Sequence, residues 1–458
     1  MRVMRSFPVL RQAGVRISAR SAICQLRRNS GAPNFNNPAA KKLSTRGEAH
    51  RSAHSQIVRV EKNLDVEADG NPNLVTIGSQ SFHPVFLRDA CSCPRCIDPS
   101  SKQKNFQTTD IPPSIRPVAA ETQADGTVNI KWDNDLPGFG EDHVSSYPKT
   151  FFEINSSHSR ILQEHFEPGQ PKLWENSLIT TRLQFVDYED YMTKDAALYQ
   201  VLQQLLDYGL LLVRGVPKSE KSVENIAERI GRLRDSFYGR TWDVKSVPQA
   251  KNVAYTAQYL GLHMDLLYMT NPPGFQFLHC LENTCEGGSS IFSDSFYAAS
   301  KLSEADFNSL CHYQIPYHYR NANEHYHFRR PVIELKNDPD GNSGIEHINY
   351  SPPFQANHAF PGNEQKYEFY DFMLAFRRFV SKVEAEENLF EYRLQEGECV
   401  IFNNRRVLHG RRQFDTSTGE RWFKGCYVDT DVYMSRYRVL AELRANDQLP
   451  LFNIGNVN

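Results

Sequence analysis

Val400-Ile-Phe402 is a short apolar run of β-strand type, and it leads into the segment Asn404-Arg-Arg-Val-Leu-His409-Gly-Arg-Arg412. A second β-type run, Arg421-Trp-Phe-Lys-Gly-Cys-Tyr-Val428, follows the turn-rich stretch Asp415-Thr-Ser-Thr-Gly419, and this order predicts a hairpin. Side chains alternate between the two faces of a strand, so every second residue of the later run shares one face. The residues that this pattern places inside a barrel are Arg421, Phe423, Gly425 and Tyr427.

Helical and β-type patterns alternate on the N-terminal side of this region. Apolar residues three and four positions apart predict three helices, one ending near Gly209, one around residues 223–233 and one around residues 369–383. Short β-type runs lie between and after them, including Leu210–Val213, Phe275–Cys280 and Cys399–Phe402. The sequence therefore predicts a mainly β structure with flanking helices, and residues 184–458 fit a double-stranded β-helix, or jelly-roll.

Positive charge is concentrated at the start of the 458 residues, although the formal net charge is only −2. Residues 1–47 contain eight Arg and two Lys but no Asp or Glu, which is typical of a mitochondrial presequence for import into the matrix. A basic disordered tail is the alternative. A secretory signal is excluded because arginines interrupt every candidate apolar stretch.

Neither a membrane nor a nucleic acid is an expected partner. The longest apolar runs, such as Leu210–Val213, fall far short of the roughly 20 residues that cross a bilayer. The slightly negative net charge also gives no basic surface of the kind that nucleic-acid-binding proteins carry.

Three of the nine cysteines lie together in Cys91-Ser-Cys93-Pro-Arg-Cys96. Their spacing allows three thiolates to converge on one ion, which predicts a zinc site. Either His83 or His143 can supply the fourth ligand, and His143 is preferred because it would hold a later loop against the cluster. Ordinary reduced thiols and an iron–sulfur site remain the alternatives. The surrounding residues 55–145, with strand-like runs at Leu74–Ile77 and Thr127–Trp132, predict a small β-rich zinc-binding domain, followed by a linker over residues 146–183.

A second metal site is indicated by His263-Met-Asp265, because residues two apart on an extended strand point to the same side. Chance alone produces such triplets, and His165-Phe-Glu167 is another. His409 is a candidate third ligand. Two histidines and one carboxylate form the facial ligand set of non-haem Fe(II). Arg421 is suited to hold the far carboxylate of a chelating cosubstrate.

At these residues the chain resembles the taurine dioxygenase-like superfamily and, within it, the γ-butyrobetaine/trimethyllysine hydroxylase family. The shared segments are Tyr238-Gly-Arg-Thr-Trp242, Asn252-Val-Ala-Tyr-Thr256, Pro272-Pro-Gly274, Leu278-His-Cys280, Gly287-Gly288 and Val407-Leu-His-Gly-Arg411. The resemblance implies that His263, Asp265 and His409 bind iron and that Arg421 binds 2-oxoglutarate. It also implies zinc ligation by Cys91, Cys93, Cys96 and His143. The substrate contacts that it implies are Tyr238, Trp242, Asn252, Tyr255 and Tyr427.

The activity implied by the resemblance is hydroxylation of γ-butyrobetaine at C3 to L-carnitine, with release of succinate and CO₂. The implied cofactors are Fe(II), 2-oxoglutarate as cosubstrate, Zn(II) and ascorbate, and the implied assembly is a homodimer. Hydroxylation of trimethyllysine is the nearer alternative, and a noncatalytic mitochondrial protein that binds trimethylammonium compounds is the other. Three positions depart from the family pattern. They are Met264 in place of Thr, Leu266 in place of an aromatic residue, and Arg405 where Trp is usual.

Overall fold

The computed structural model describes residues 59–61, 74–140, 142–245, 256–336, 344–358, 365–452 and 454–456. The predicted presequence, residues 1–47, and the predicted substrate contacts Asn252 and Tyr255 lie outside these ranges. Within them, no helix combines the length and the apolar composition that crossing a membrane requires.

Two small antiparallel sheets form the N-terminal part. The first has the strand order β1-β2-β3 and consists of β1 (Arg59–Glu61), β2 (Leu74–Ile77) and β3 (Gln80–Phe82). After the short helix α1 (Pro84–Asp89) comes the second, in the order β4 (Arg116–Thr122), β5 (Val128–Asp133) and β6 (Val144–Tyr147). Side chains of both sheets share one apolar core, which includes Val75, Ile130 and Trp132. The two strands predicted here are confirmed as β2 and, shifted by one residue, β5.

The segment predicted as a linker, residues 146–183, is largely helical. It contains α2 (Lys149–Ile154), α3 (His158–Glu164) and α4 (Asn176–Arg182). Trp174, Ile179 and Leu183 are buried in an apolar cluster with residues of the following β structure, such as Phe402. The second half of the segment is therefore part of a packed core, while the division of the chain into domains stays a prediction.

A seven-stranded sheet is the larger part of the β structure that follows. Its strand order is β23-β7-β8-β19-β11-β22-β9, and all neighbours are antiparallel except β7 and β8. The strands are β7 (Gln184–Asp187), β8 (Leu210–Arg214), β9 (Thr241–Lys245), β11 (Phe275–Asn283), β19 (Cys399–Asn403), β22 (Arg421–Val428) and β23 (Gly455–Asn456).

A four-stranded antiparallel sheet packs against it, in the order β10-β20-β13-β18. These strands are β10 (Leu260–His263), β13 (Ser290–Asp294), β18 (Phe390–Tyr392) and β20 (Val407–Arg411). Side chains of the two sheets meet inside, as in Phe292 and Phe402, whose ring centroids are 5.7 Å apart. Along the chain the strands alternate between the sheets, from β10 to β11 to β13 and from β18 to β19 to β20 to β22. This alternation is that of a jelly-roll, and the predicted fold class of the larger domain is confirmed.

Helices cover the outer side of the seven-stranded sheet. They are α5 (Tyr188–Thr193), α6 (Asp195–Tyr208), α7 (Ser222–Ile230) and α11 (Thr430–Ala445). Apolar residues of α6, α7 and α11, such as Val201, Ile226 and Tyr433, share a buried cluster with Phe277 of β11. α6 ends at Gly209, whose φ of 73° is a left-handed conformation that glycine adopts without strain. The first two predicted helices are confirmed as α6 and α7.

A mixed insertion connects β13 to β18. Its helices are α8 (Ser295–Ser300), α9 (Glu304–His312) and α10 (Gln365–Val383), and α10 confirms the third predicted helix. Between α9 and α10 lie two hairpins, β14 (Ile315–Asn321) with β15 (Glu324–Arg330) and β16 (Ile333–Leu335) with β17 (Ile345–Ile348). Phe372 and Phe379 of α10 share an apolar cluster with Tyr317 of β14 and with Leu262 and Met264 beside the four-stranded sheet.

The predicted hairpin before Arg421 is wrong. β22 lies between β11 and β9 in the larger sheet, whereas β19 pairs with β8 and β11, and β20 belongs to the smaller sheet. The connection carries the chain across the barrel instead of folding it back. Within it, the short strand β21 (Phe414–Asp415) pairs with β12 (Glu286–Gly287). Local turn residues cannot distinguish these two outcomes, because the choice of sheet depends on distant strands.

Arg406 joins four parts of this fold. Its guanidinium donates to both carboxylate oxygens of Asp294, at 3.1 and 2.8 Å, and to the carbonyl oxygens of Asp207 and Lys172. Asp294 in turn accepts from the backbone N–H of Trp174 at 3.1 Å. The side chains of the ion pair are 2% and 0% exposed. Because both side chains of this ion pair are buried, loss of one leaves the other charge unpaired.

We therefore predict that Arg406→Met lowers the free energy of unfolding by about 3–5 kcal/mol. The matched control is Arg412→Met, which removes an ion pair to Glu391 whose side chains are both 43% exposed. Its expected effect is below about 1 kcal/mol. Urea unfolding of both variants measures the difference, and equal effects would show that burial does not set the contribution of Arg406.

Candidate active site

Two histidines and a carboxylate meet at the end of the four-stranded sheet. His263 is the last residue of β10 and lies opposite His409 of β20, with ring centroids 4.2 Å apart. Nε2 of His263 lies 3.5 Å from Oδ1 of Asp265, and Nε2 of His409 lies 3.9 Å from Oδ2. One ligand atom from each residue lies within 4.8 Å of the other two, a spacing that suits a single metal ion.

Asp265 does not lie on the strand, although the sequence pattern predicted an extended strand through both His263 and Asp265. β10 ends at His263, and Leu266 adopts a φ of 60°. The carboxylate is positioned by the buried side chain of Asn404. Oδ1 of Asn404 accepts from the Asp265 N–H at 2.9 Å. Nδ2 of Asn404 donates to the carbonyls of Asp265 and Pro273 at 3.2 and 3.1 Å. The turn between β19 and β20 thus fixes the third residue of the cluster.

The protonation states suit metal binding. Nδ1 of His263 lies 2.9 Å from the Gly261 carbonyl and donates to it, which leaves Nε2 as the acceptor. Burial and the neighbouring His263 lower the pKa of His409 to about 3. Burial raises the pKa of the Asp265 carboxyl, but the two histidines and the Tyr427 hydroxyl outweigh it and hold that pKa well below its usual range. Two neutral imidazoles and a carboxylate are the donor set of non-haem Fe(II) enzymes.

A cavity of about 70 Å³ adjoins these three residues inside the barrel. Arg421, on its wall, is only 6% exposed and lies over the Phe423 ring at 4.0 Å. Its Nε donates to the Gly288 carbonyl at 3.3 Å, and in the described part of the chain no carboxylate pairs with it. Burial and the charge of Arg411 lower the pKa of Arg421 to about 9. A buried cation without a counter-ion is costly, so this wall fits a carboxylate supplied by a ligand.

The predicted alternation along β22 is confirmed. Arg421 and Phe423 line the cavity, and the Tyr427 hydroxyl donates to Oδ2 of Asp265 at 2.6 Å. Gly425 lies under the indole of Trp242, where a Cβ would come within 2.7 Å of the ring. A glycine at this position leaves the space in which Trp242 packs across the sheet.

The described aromatic residues of the predicted substrate site are contiguous. The ring centroids of Tyr238 and Trp242 are 6.3 Å apart, and those of Trp242 and Tyr427 are 4.2 Å apart. Trp242 lines the cavity, whereas Tyr427 is 2% exposed. Behind Tyr238 lies Phe237, at 4.1 Å, which contacts tyrosines of the β14–β15 hairpin. The sequence analysis did not identify this second aromatic layer.

Gln276 is a further cavity residue that the sequence analysis missed. It is 3% exposed and lies next to Tyr427 on the neighbouring strand, and its side-chain Oε1 is buried without a hydrogen-bond partner among the described residues. An amide without a partner in a reaction cavity is available to a ligand. A polar residue between Phe275 and Phe277 in this largely apolar strand was the signal that could have identified it.

The second cluster contains Cys91, Cys93, Cys96 and His143. The three Sγ atoms lie 3.7, 3.5 and 3.5 Å from Nε2 of His143. Nδ1 of the same ring lies 2.7 Å from Oδ2 of Asp135 and is held by it. His83, the other candidate, instead accepts from the Val85 N–H and caps α1. All four ligand atoms of the cluster lie within 4.8 Å of one another, as the ligands of a closed tetrahedral site do.

Comparison with known proteins identifies the family. Residues 166–427 match the model of the taurine catabolism dioxygenase TauD, TfdA family, and residues 61–148 match that of the γ-butyrobetaine hydroxylase-like N-terminal region. The chain belongs to this dioxygenase family. It is therefore a 2-oxoglutarate-dependent dioxygenase, as the resemblance noted from its sequence implied.

Three relatives illustrate the range of this family. Dioxygenase str8 of Strobilurus tenacellus is 39% identical over 79% of this chain and 85% of its own length. γ-Butyrobetaine dioxygenase of Pseudomonas sp. is 34% identical over 78% and 90% of the two chains. Mitochondrial trimethyllysine dioxygenase of Rattus norvegicus is 27% identical over 78% and 82%. All three relatives are named as dioxygenases, and the two names that give a substrate give different ones.

Asn404→Ala is predicted to lower the free energy of unfolding by about 2–4 kcal/mol, because three hydrogen bonds disappear and the buried N–H of Asp265 loses its partner. The control is Asn308→Ala on the exposed side of α9, with an expected change within about 0.5 kcal/mol. Chemical denaturation of both variants provides the measurement. A neutral Asn404→Ala variant would contradict the role assigned to this side chain.

Proposed function

We propose that the protein hydroxylates γ-butyrobetaine at C3 to give L-carnitine, while 2-oxoglutarate and dioxygen are converted to succinate and CO₂. The observation that carries this proposal is the aromatic group of Tyr238, Trp242 and Tyr427 beside the His-Asp-His cluster. A trimethylammonium group cannot donate hydrogen bonds, so aromatic ring faces recognise it through cation-π attraction. The relatives named γ-butyrobetaine dioxygenase support this choice of substrate.

In this proposal His263, Asp265 and His409 hold one ferrous ion. The spacing of their ligand atoms and the ionised carboxylate of Asp265 fit that ion. When bound, Fe(II) supplies the redox chemistry that activates dioxygen. The carbonyl of Gly261 fixes the tautomer of His263, and the Tyr427 hydroxyl orients the carboxylate of Asp265. These two contacts hold the ligand atoms in place for the metal.

Arg421 binds the far carboxylate of 2-oxoglutarate. The Gly288 carbonyl and the Phe423 ring hold its guanidinium inside the barrel, where water does not compete for the anion. Trp242 presents an aromatic side chain to the cavity, and its face positions the cationic end of the substrate. Asn252 and Tyr255, which lie outside the described residues, remain proposed substrate contacts on the strength of the resemblance.

A zinc ion held by Cys91, Cys93, Cys96 and His143 is the proposed role of the second cluster. Asp135 bonds to both His143 and the buried Arg88, which fixes the ring orientation. The apolar core of this region is small, so a metal would stabilise it. The site has four protein ligands, and this is typical of structural zinc.

The proposed location is the mitochondrial matrix. It rests on the Arg-rich residues 1–47 and on relatives named as mitochondrial trimethyllysine dioxygenase. Import assays with and without residues 1–47 test it. The homodimer and the use of ascorbate to keep iron reduced rest on the family resemblance, and light scattering and ascorbate omission test them.

His263→Ala and Asp265→Ala are predicted to abolish succinate release and product formation, because each removes an iron ligand. Both variants are expected to retain bound zinc in elemental analysis. The reciprocal control, Cys96→Ser, is expected to lose zinc. Full turnover by either iron-site variant would refute the metal assignment, whereas unchanged zinc content in Cys96→Ser would refute only the zinc site.

Trp242→Leu is predicted to raise the KM for γ-butyrobetaine by roughly 3- to 30-fold, the range of a cation-π contact. Trp242→Phe keeps an aromatic face, so its KM for γ-butyrobetaine is expected to lie between those of Trp242→Leu and the unmodified protein. The KM for 2-oxoglutarate should not change. The same succinate assay is run with trimethyllysine. Turnover of trimethyllysine alone would favour that substrate, and binding without succinate release from either compound would indicate a noncatalytic protein.

A further inference from the structure

A second polar cavity, of about 270 Å³, adjoins the loop that follows Asp265. Thr270 and Asn271 of this loop lie on its wall, together with residues of β15–β17, of the β19–β20 turn and of the start of α11. None of its lining residues belongs to the wall of the active-site cavity. It is therefore a separate compartment of the described structure.

Arg405 is the unusual group on its wall. The side chain is buried, with the residue 4% exposed, yet within the described ranges its guanidinium donates no hydrogen bond, and its Nη1 is fully buried without a partner. The nearest carboxylate oxygen, Oε2 of Glu334, is 3.8 Å away. The neighbouring Arg330, by contrast, donates to the carbonyls of Leu267, Met269 and Thr270. A guanidinium carries five N–H donors, so Arg405 lacks acceptors that burial makes necessary.

The inner wall has an excess of positive charge. Arg330 and Arg405 share Glu334, whose Oε1 lies 3.4 Å from Arg330 and also accepts from Asn349 at 2.9 Å. Burial and the charge of Arg330 lower the pKa of Arg405 to about 10. The ring of His347 also lines the cavity, and its Nδ1 is buried without a partner. The two arginines of this wall therefore share one carboxylate, and a second would be needed to pair with Arg405, as a ligand carboxylate would be for Arg421.

The mouth of the cavity has the opposite charge. Glu346 and Asp431 are both exposed and both line it. Asp429, the third acidic residue near the mouth, is paired with Arg234 at 2.7 Å. A dianion such as 2-oxoglutarate would meet repulsion at this rim. A ligand matches this charge distribution when its carboxylate faces the arginines of the inner wall and its positive group faces the acidic residues of the mouth.

We propose that this cavity binds a small zwitterion, a molecule with a carboxylate that pairs with Arg405 and a primary ammonium that faces Glu346 and Asp431. A primary ammonium donates hydrogen bonds to carboxylates, which a trimethylammonium group cannot do. The wall has no Phe, Tyr or Trp side chain among its described residues, so the site discriminates against the quaternary ammonium compounds proposed for the active site. The loop that supplies Thr270 and Asn271 to this cavity also carries Asp265, which lines the active-site cavity.

The test is isothermal titration of the full chain, loaded with 2-oxoglutarate, with 4-aminobutyrate, butyrate and succinate at constant ionic strength. We expect saturable binding of 4-aminobutyrate and at least tenfold weaker binding of the other two. Arg405→Gln should weaken 4-aminobutyrate binding at least tenfold, about the loss expected for a charged hydrogen-bonded pair. Trp242→Leu alters the active-site cavity and should leave the binding of 4-aminobutyrate unchanged.

Two surface substitutions keep the proposal testable if Arg405→Gln fails to fold. Glu346→Gln combined with Asp431→Asn should weaken binding of 4-aminobutyrate about threefold or more while binding of butyrate is unchanged or stronger. The proposal is overturned if butyrate or succinate binds as well as 4-aminobutyrate, or if 4-aminobutyrate does not bind saturably. It is also overturned if Trp242→Leu, and not Arg405→Gln, abolishes binding, because the probe would then occupy the active site.

Discussion

The paired hydrogen bonds between the Asn404 side chain and the backbone of Asp265 are the constraint on which the active site depends. Two of the three side chains of the His-Asp-His cluster lie on adjacent strands, and sheet pairing alone brings them together. The third, Asp265, lies beyond the end of its strand, where the turn after β19 holds its backbone and the Tyr427 hydroxyl donates to its carboxylate. Arg406, two residues along the same turn, ties this turn to Asp294 and to the segment around Lys172. One short turn therefore connects the integrity of the barrel to the geometry of the carboxylate.

Buried arginines with too few acceptors mark both cavities. Arg421 and Arg405 are each nearly inaccessible, and in the described structure neither has a close carboxylate of its own. Arg406 shows the opposite case, since Asp294 and two carbonyls accept four hydrogen bonds from it. Within this fold, Arg406 therefore has a structural role, whereas Arg421 and Arg405 are the arginines proposed to bind ligands. The difference lies in the acceptors that the chain itself provides, because burial of all three is similar.

Much of the fold could be predicted from the sequence because its signals are local. The periodicities of α6, α7 and α10, and the alternation along β22, depend on residues a few positions apart. The hairpin before Arg421 failed because turn composition contains no information about which of two sheets the next strand joins. Two other features could not be predicted from local sequence. The position of Asp265 off the strand depends on Asn404, more than a hundred positions away, and the missing partner of the Gln276 Oε1 depends on the neighbouring strand.

The proposed substrate site shows why sequence motifs identify the family before they identify the substrate. Tyr427 contacts Trp242 with its ring and Asp265 with its hydroxyl, so a change there would disturb the metal ligand as well as the aromatic wall. Tyr238 packs on Phe237, which contacts the tyrosines of the β14–β15 hairpin. That hairpin belongs to an insertion between two barrel strands, so its side chains can vary without altering the strands that carry His263 and His409. Relatives whose names give different substrates can therefore retain the same His-Asp-His cluster. We expect the side chains of the insertion, more than those of the barrel, to determine which substrate is preferred.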